Sequence, residues 1–366
     1  MEEREEEARE SQLALPDVEE ETVAPERPTE AAPRIRHLHR ALRSLRLVLT
    51  LSLCAVFGAL LRIALQEFLV WRVDERNGVL PSALMANIVG SAIMGSLVPQ
   101  KGYRFWHRED WLYTGLSSGF CGSLTTFSTW MTEAAEPWED VDVVRYFFLL
   151  ILELCSNICA FCFGWHAQDG VRAILLKTKL LKQSPQPQQP VTKNILTERE
   201  ELDECRKMFV VAVVEVLLLL LVFAAVGILT GYFVSWRWLT LAAFFAPPGA
   251  LLRFYLSLLN AKRPFSHTVP LFTMLVNVSG SIAAALLIIL TGKEGWTDRT
   301  SDARAYVTEA VILGFLGSLT TVSTFTAELL QSHRTVFIRY VYGFATISIS
   351  QVVIIILFTS LQTFPS

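Results

Sequence analysis

The 366-residue sequence predicts an all-α polytopic membrane protein. Its expected plan is two antiparallel four-helix repeats joined by a topology-inverting helix, with nine transmembrane spans and the third helix of each repeat broken. Three observations carry this reading. Hydrophobic residues make up 52% of the chain and charged residues only 18%, against about 25% charged in soluble domains, which excludes an ordinary soluble enzyme. Three motifs occur twice in the same order, at offsets of 191, 190 and 195 residues. Finally, Lys and Arg segregate: with the N-terminus inside, the inner connections carry 20 and the outer ones 7, the bias that sets membrane orientation.

Residues 1–30 hold twelve Asp/Glu against three Lys/Arg, with several Pro and no aromatic residue. Such a composition buries too little surface to offset the entropy of ordering, so residues 1–33 read as a disordered tail. The acidic opening also predicts no cleaved signal peptide. Arg34, Arg36, Arg40, Arg43 and Arg46 follow, directly before the first apolar run. A basic cluster there belongs among anionic headgroups and places the N-terminus in the cytoplasm. The tail and this juxtamembrane segment form the first region, 1–46.

Apolar stretches able to cross roughly 30 Å of hydrocarbon lie near 47–70, 81–99, 112–133, 143–165, 208–234, 239–260, 268–291, 305–330 and 335–361. The first four make the first repeat, 47–165. A polar cytoplasmic linker, 166–207, has the low-complexity piece Ser184-Pro-Gln-Pro-Gln-Gln-Pro190 at its centre. Four spans per unit would leave two fused copies in the same orientation, so the extra span at 208–234 is the inverting helix. The second repeat is 235–366.

The duplicated motifs are Gly58-Ala-Leu-Leu-Arg62 with Gly249-Ala-Leu-Leu-Arg253, and Asn87-Ile-Val-Gly-Ser91 with Asn277-Val-Ser-Gly-Ser281. The longest is Gly119-Phe-Cys-Gly-Ser-Leu-Thr-Thr-Phe-Ser-Thr129 with Gly314-Phe-Leu-Gly-Ser-Leu-Thr-Thr-Val-Ser-Thr324. Gly and hydroxyl residues in the middle of a span favour a helix break, which lipid tolerates only where protein buries it. Two such breaks meeting at the midplane would offer carbonyl oxygens to a hard cation such as sodium; the plainer alternative is small-residue helix packing.

These motifs resemble the fluoride channel family, CrcB/Fluc, and the duplicated form with a linking helix resembles its eukaryotic fluoride exporter (FEX) branch. The resemblance covers about residues 50–361. It implies a passive, non-enzymatic, fluoride-selective channel with two narrow pathways and a central structural sodium ion. The carbonyls would come from Gly122, Thr125, Gly317 and Thr320. The implied partners are fluoride and membrane lipid, with no nucleic acid, and one chain suffices. Export of fluoride implies the plasma membrane.

Phenylalanine edges carry partial positive charge and suit a small anion. The family supplies two such rings per unit, each pathway taking the first ring from one unit and the second from the other. Here the first position is Phe127 or Val322, and the second is Trp130 or Phe325. Only the pairing of Phe127 with Phe325 is intact. Aligning Arg145-Tyr146 with Arg339-Tyr340 gives the second unit a hydroxyl track of Tyr342, Thr346 and Ser350. The first unit has Phe148, Leu152 and Ser156 there, with Glu153 alongside. One conducting and one degenerate pathway are expected.

Asn87 and Asn277 either donate amides to an anion or bond to a neighbouring helix backbone; the resemblance favours the pore. Arg62 and Arg253 either concentrate anions in a vestibule, brace the broken helices, or snorkel. Glu133 and Glu328 occupy matching positions without an assigned role. Cys155, Cys159 and Cys162 read as packing residues rather than a metal site. A different class of function, an inverted-repeat secondary transporter exchanging a small ion for protons, would use Glu153 or Glu215 as relay.

Overall fold

The computed structural model describes residues 31–72, 80–98, 111–138, 141–177, 198–232, 237–262, 269–297, 303–331 and 335–361. Most of the acidic tail and the Ser184–Pro190 piece lie outside the described residues. Among those described, every regular element is helical. Seven helical segments are long and apolar enough to cross a membrane, and Leu84–Leu97 is a shorter apolar helix.

Helix α1 (Ala31–Arg72) runs unbroken from the basic juxtamembrane segment through the first apolar stretch. It is followed by α2 (Leu84–Leu97). The third stretch is interrupted. Its first part, α3, is α-helical at Trp111–Thr114, widens into a π-helix over Gly115–Cys121 and closes with a turn at Gly122–Leu124; α4 (Phe127–Ala135) resumes beyond. Then come α5 (Val143–Lys177) and the linking helix α6 (Glu198–Tyr232). The second unit repeats the order: α7 (Arg237–Ser257) and α8 (Leu271–Thr297). The next helix, α9, is again α-helical at Ala303–Ala310, π-helical over Val311–Leu316 and α-helical at Gly317–Leu319. It is followed by α10 (Val322–Gln331) and α11 (Val336–Leu361).

The Gly-Ala-Leu-Leu-Arg motif has a steric reason. A Cβ on Gly58 would lie 2.4 Å from the Phe120 carbonyl oxygen, and one on Gly249 would lie 2.3 Å from that of Phe315. Only glycine lets α1 and α7 approach the π-helical stretches of α3 and α9 so closely.

The largest buried apolar cluster lies between the units and joins Phe127, Trp130 and Met131 to Phe325, Tyr342 and Ile354. The linking helix α6 runs along α1 and α7. Its Phe209, Val213, Leu217 and Leu221 are exposed, as befits a helix apolar on all sides and facing lipid. Cys155 and Cys159 are likewise exposed on α5.

Candidate ion pathways

At each break the chain leaves the helix through an extended threonine, Thr125 (φ −98°, ψ 147°) and Thr320 (φ −89°, ψ 150°). The next threonine caps the resumed helix: the Thr126 hydroxyl accepts from the Thr129 amide and the Thr321 hydroxyl from the Thr324 amide, which satisfies a donor left open at a helix start.

The two breaks meet. The Thr125 hydroxyl lies 3.1 Å from the Thr321 hydroxyl and accepts from the Ser323 amide at 3.1 Å. Reciprocally, the Thr320 hydroxyl lies 3.4 Å from the Thr126 hydroxyl and accepts from the Ser128 amide at 3.1 Å. Contacts in which i meets j and the repeat of j meets the repeat of i define a two-fold relation between the units.

Asparagine holds each break open. The Asn87 Oδ1 accepts from the Thr126 amide at 2.8 Å while its Nδ2 donates to the Thr126 carbonyl at 3.2 Å. Asn277 makes the same pair of bonds to Thr321, at 2.9 and 3.1 Å. The amides that would close on Gly122 and Gly317 in a continuous helix are thereby diverted. Those that would close on Thr125 and Thr320 go to the capping hydroxyls. All four carbonyls named from the sequence have thus lost their ordinary helical donor, which makes them suitable oxygen ligands for a hard cation.

Both arginines are buried and reach across the units. The Arg253 Nη2 donates to the Ser118 carbonyl at 2.7 Å and its Nε to that of Ser318 at 3.0 Å. The Arg62 Nη2 donates to the Leu313 carbonyl, whereas its Nε and Nη1 meet no partner among the described residues. Each guanidinium lies over the glycine at the other unit's break, Arg253 over Gly122 and Arg62 over Gly317. Arg253 thus joins carbonyls of both units, and Arg62 contacts a carbonyl of the second.

The aromatic residues form a buried row. Ring centroids are 5.3 Å apart for Trp130 and Phe127, 5.4 Å for Phe127 and Phe325, and 5.3 Å for Phe325 and Tyr342. From there α11 presents Tyr342, Thr346 and Ser350, all buried. The Thr346 hydroxyl donates to the Tyr342 carbonyl and that of Ser350 to the Thr346 carbonyl, so each would have to turn its single O–H from the backbone to donate to an anion. The Tyr342 hydroxyl donates to Glu328 at 2.8 Å.

The first unit departs from the expected register. Phe148 is 48% exposed and faces outward. The buried face of α5 is instead Leu149, Glu153 and Asn157, so these are the positions that correspond to Tyr342, Thr346 and Ser350. The alignment on Arg-Tyr fails because Tyr146 is buried while Tyr340 is 73% exposed. Glu153 therefore lies on the buried face of α5 rather than beside it. Its carboxylate accepts from the Asn157 amide at 2.8 Å and from the Asn87 amide at 3.4 Å.

Residues 49–165 and 240–358 each match the family model described as CrcB-like protein, Camphor Resistance (CrcB). The chain belongs to the CrcB family. It is 30% identical over 340 residues to Fluoride export protein 1 of Candida albicans, covering 86% of this chain and 79% of that protein. Identity to Fluoride export protein 1 of Saccharomyces cerevisiae is 22% over 318 residues, covering 75% and 83%. Fluoride-specific ion channel FluC 2 of Synechococcus sp. is 36% identical over 141 residues, 38% of this chain and 91% of that protein. No solved structure matches the chain.

In this CrcB chain two residues left unassigned by sequence take definite places. Glu328 joins the end of the hydroxyl track to Thr273, whose hydroxyl donates to it at 2.9 Å. Its counterpart Glu133 accepts from the Ser82 amide at 2.9 Å. The matched positions of the two glutamates after the breaks were the available signal.

Proposed function

We propose that this chain is a passive fluoride-selective channel that exports fluoride from the cytoplasm through one conducting lane, the other being degenerate. The observation that carries this is the buried row Phe127, Phe325 and Tyr342 leading into the hydroxyls of Thr346 and Ser350. Ring edges, and hydroxyls that can turn from the backbone to donate, suit a small anion, while the Glu328 carboxylate marks one end of the row by accepting from the Tyr342 hydroxyl. The Asn277 amide lies at the same break and has one N–H beyond its bond to Thr321. In the other lane Val322, Trp130 and Leu149 replace the ring and hydroxyl positions, and the Glu153 carboxylate already holds the amides.

The units are read as antiparallel, inverted by α6, in a nine-span topology with the N-terminus cytoplasmic and the protein in the plasma membrane. The reciprocal bonds at the breaks and the distribution of Lys and Arg support this. The carbonyls of Gly122, Thr125, Gly317 and Thr320 fit a sodium ion, which when bound supplies a fixed positive charge between the breaks. Fluoride leaves along the inside-negative potential, which is worth about 2.3 kcal/mol per elementary charge per 100 mV. The relatives named as fluoride exporters and fluoride-specific channels favour this over proton exchange.

Efflux from liposomes holding purified protein, with the voltage set by valinomycin, tests the reading. Fluoride should leave rapidly and chloride should not. Equal rates for both anions, or no flux, would overturn it.

A further inference from the structure

A cavity of about 530 Å³ lies far from the ion lanes, between the start of α1, the start of α6 and the first turn of α3. Its polar wall is cationic: Arg43, Arg46 and Lys207 line it. The acidic residue in the wall, Glu204, is taken by the His39 ring at 3.1 Å. Arg46 lies 3.6 Å from the centroid of the Trp111 ring, an arrangement that holds a guanidinium against an aromatic face. The floor is apolar, made by Leu47 and Met208, and Met208 leads directly to the exposed Phe209 and Val210 of α6.

Its depth follows from the sequence. Arg43 and Arg46 end the basic run and Leu47 begins the first apolar stretch, while Lys207 stands at the same boundary on α6. The cavity is thus at headgroup level, where tryptophan and basic side chains gather. All of its lining except Trp111 lies outside the residues matched by the family model. The shared channel fold does not require it.

We propose that this cavity binds the phosphate of an anionic phospholipid, whose acyl chains run over Leu47 and Met208 onto the lipid face of α6. Two flexible cations, Arg43 and Lys207, on separate helices close on the phosphate, and Arg46 is preset by Trp111. Guanidinium groups favour phosphate oxygens in paired geometry. A zwitterionic lipid carries no net negative charge to match the three cations and is disfavoured. The apolar floor separates a lipid from free phosphate, which has nothing to place there. The site is independent of the reading of the ion lanes.

The test is native mass spectrometry of the full chain released from nanodiscs of mixed phosphatidylserine and phosphatidylcholine, repeated with inorganic phosphate in phosphatidylcholine alone. Phosphatidylserine should be retained preferentially, one per chain. The double variant Arg43→Gln, Lys207→Gln should lose that preference by about tenfold while fluoride efflux per molecule stays unchanged. Displacement of the lipid by inorganic phosphate at millimolar concentration would assign the same site to free phosphate. Equal retention of both lipids, or retention unaffected by the double variant, overturns the proposal. Retention that emerges only after removal of residues 1–30 overturns it too, by giving the cavity to the tail's carboxylates.

Discussion

The carboxylate of Glu153 lies 3.4 Å from the amide of Asn87, the residue that holds the first helix break open. In the second unit the corresponding amide belongs to Asn277, and the inward position on α11 is Thr346, a hydroxyl. The first unit thus places a carboxyl group where the second places a hydroxyl. Under the proposed reading, an ionised carboxylate there would repel a mobile anion strongly where water is excluded.

The first prediction concerns this asymmetry. Phe325→Ala and Thr346→Ala should each cut fluoride efflux by about tenfold or more, equivalent to about 1.4 kcal/mol or more in the barrier. Trp130→Ala and Glu153→Gln should leave efflux nearly unchanged. Rates from a fluoride electrode on liposomes with matched protein content decide it. Loss of flux in Trp130→Ala with Phe325→Ala unaffected would mean that the conducting lane has been assigned the wrong way round.

Asn277 should separate folding from permeation. Asn277→Ala leaves the buried Thr321 amide without its acceptor, at a cost of about 1–3 kcal/mol. Asn277→Asp keeps an acceptor and removes the donor. The Asp variant should therefore melt closer to the parent than the Ala variant does, yet lose fluoride efflux because a carboxylate now stands at the lane. Melting in detergent and efflux per molecule are the two readouts, and an Asp variant with full efflux contradicts the assignment.

The glycines at the breaks are spacing residues. A Cβ at Gly122 would lie 1.9 Å from the Arg253 Nη1, and one at Gly317 would lie 2.4 Å from the Arg62 Nη1. Arg253 is fixed by two carbonyls and has little room to withdraw. Gly122→Ala should cost about 1–3 kcal/mol, as other overpacked cores do, and should lower the melting midpoint clearly. An unchanged midpoint would show that the guanidinium is not braced as described.

Sodium should stabilise the folded chain if the four break carbonyls hold it. Exchanging sodium for N-methylglucamine should lower the melting midpoint, since an ion present at about a hundred times its dissociation constant contributes roughly 2.7 kcal/mol. A midpoint insensitive to sodium from zero to 150 mM, roughly physiological ionic strength, would remove the ion from the scheme.

The linking helix should be replaceable. Substituting a plain Leu/Ala span for residues 208–234 removes Glu215 and its bond to the Thr50 hydroxyl, so membrane abundance should fall modestly. Fluoride efflux per molecule should be retained. Normal abundance with abolished efflux would place α6 in the pathway.

What the sequence determined by itself was whatever stands out against an apolar background. Gly122-Ser-Leu-Thr-Thr126 and its repeat announce helix breaks because small and hydroxyl residues are rare at the middle of a span. Three motifs at nearly constant offset announce duplication. Phe127 and Phe325 were legible as a surviving pair for the same reason, since the repeat alignment exposes Val322 and Trp130 as departures. The inward face of the fourth helix of each unit was not legible. Lipid is as apolar as a protein core, so the pattern that orients a helix in water is nearly mute here, and Phe148 and Leu149 look alike until neighbours are in place. Tertiary structure alone put Glu153 on the buried face beside Asn87 and Tyr146 on the buried side where Tyr340 faces out. It alone sent Arg62 to Leu313 and Arg253 to Ser118, because the acceptors a buried cation reaches belong to the other unit and come within range only when the breaks dock.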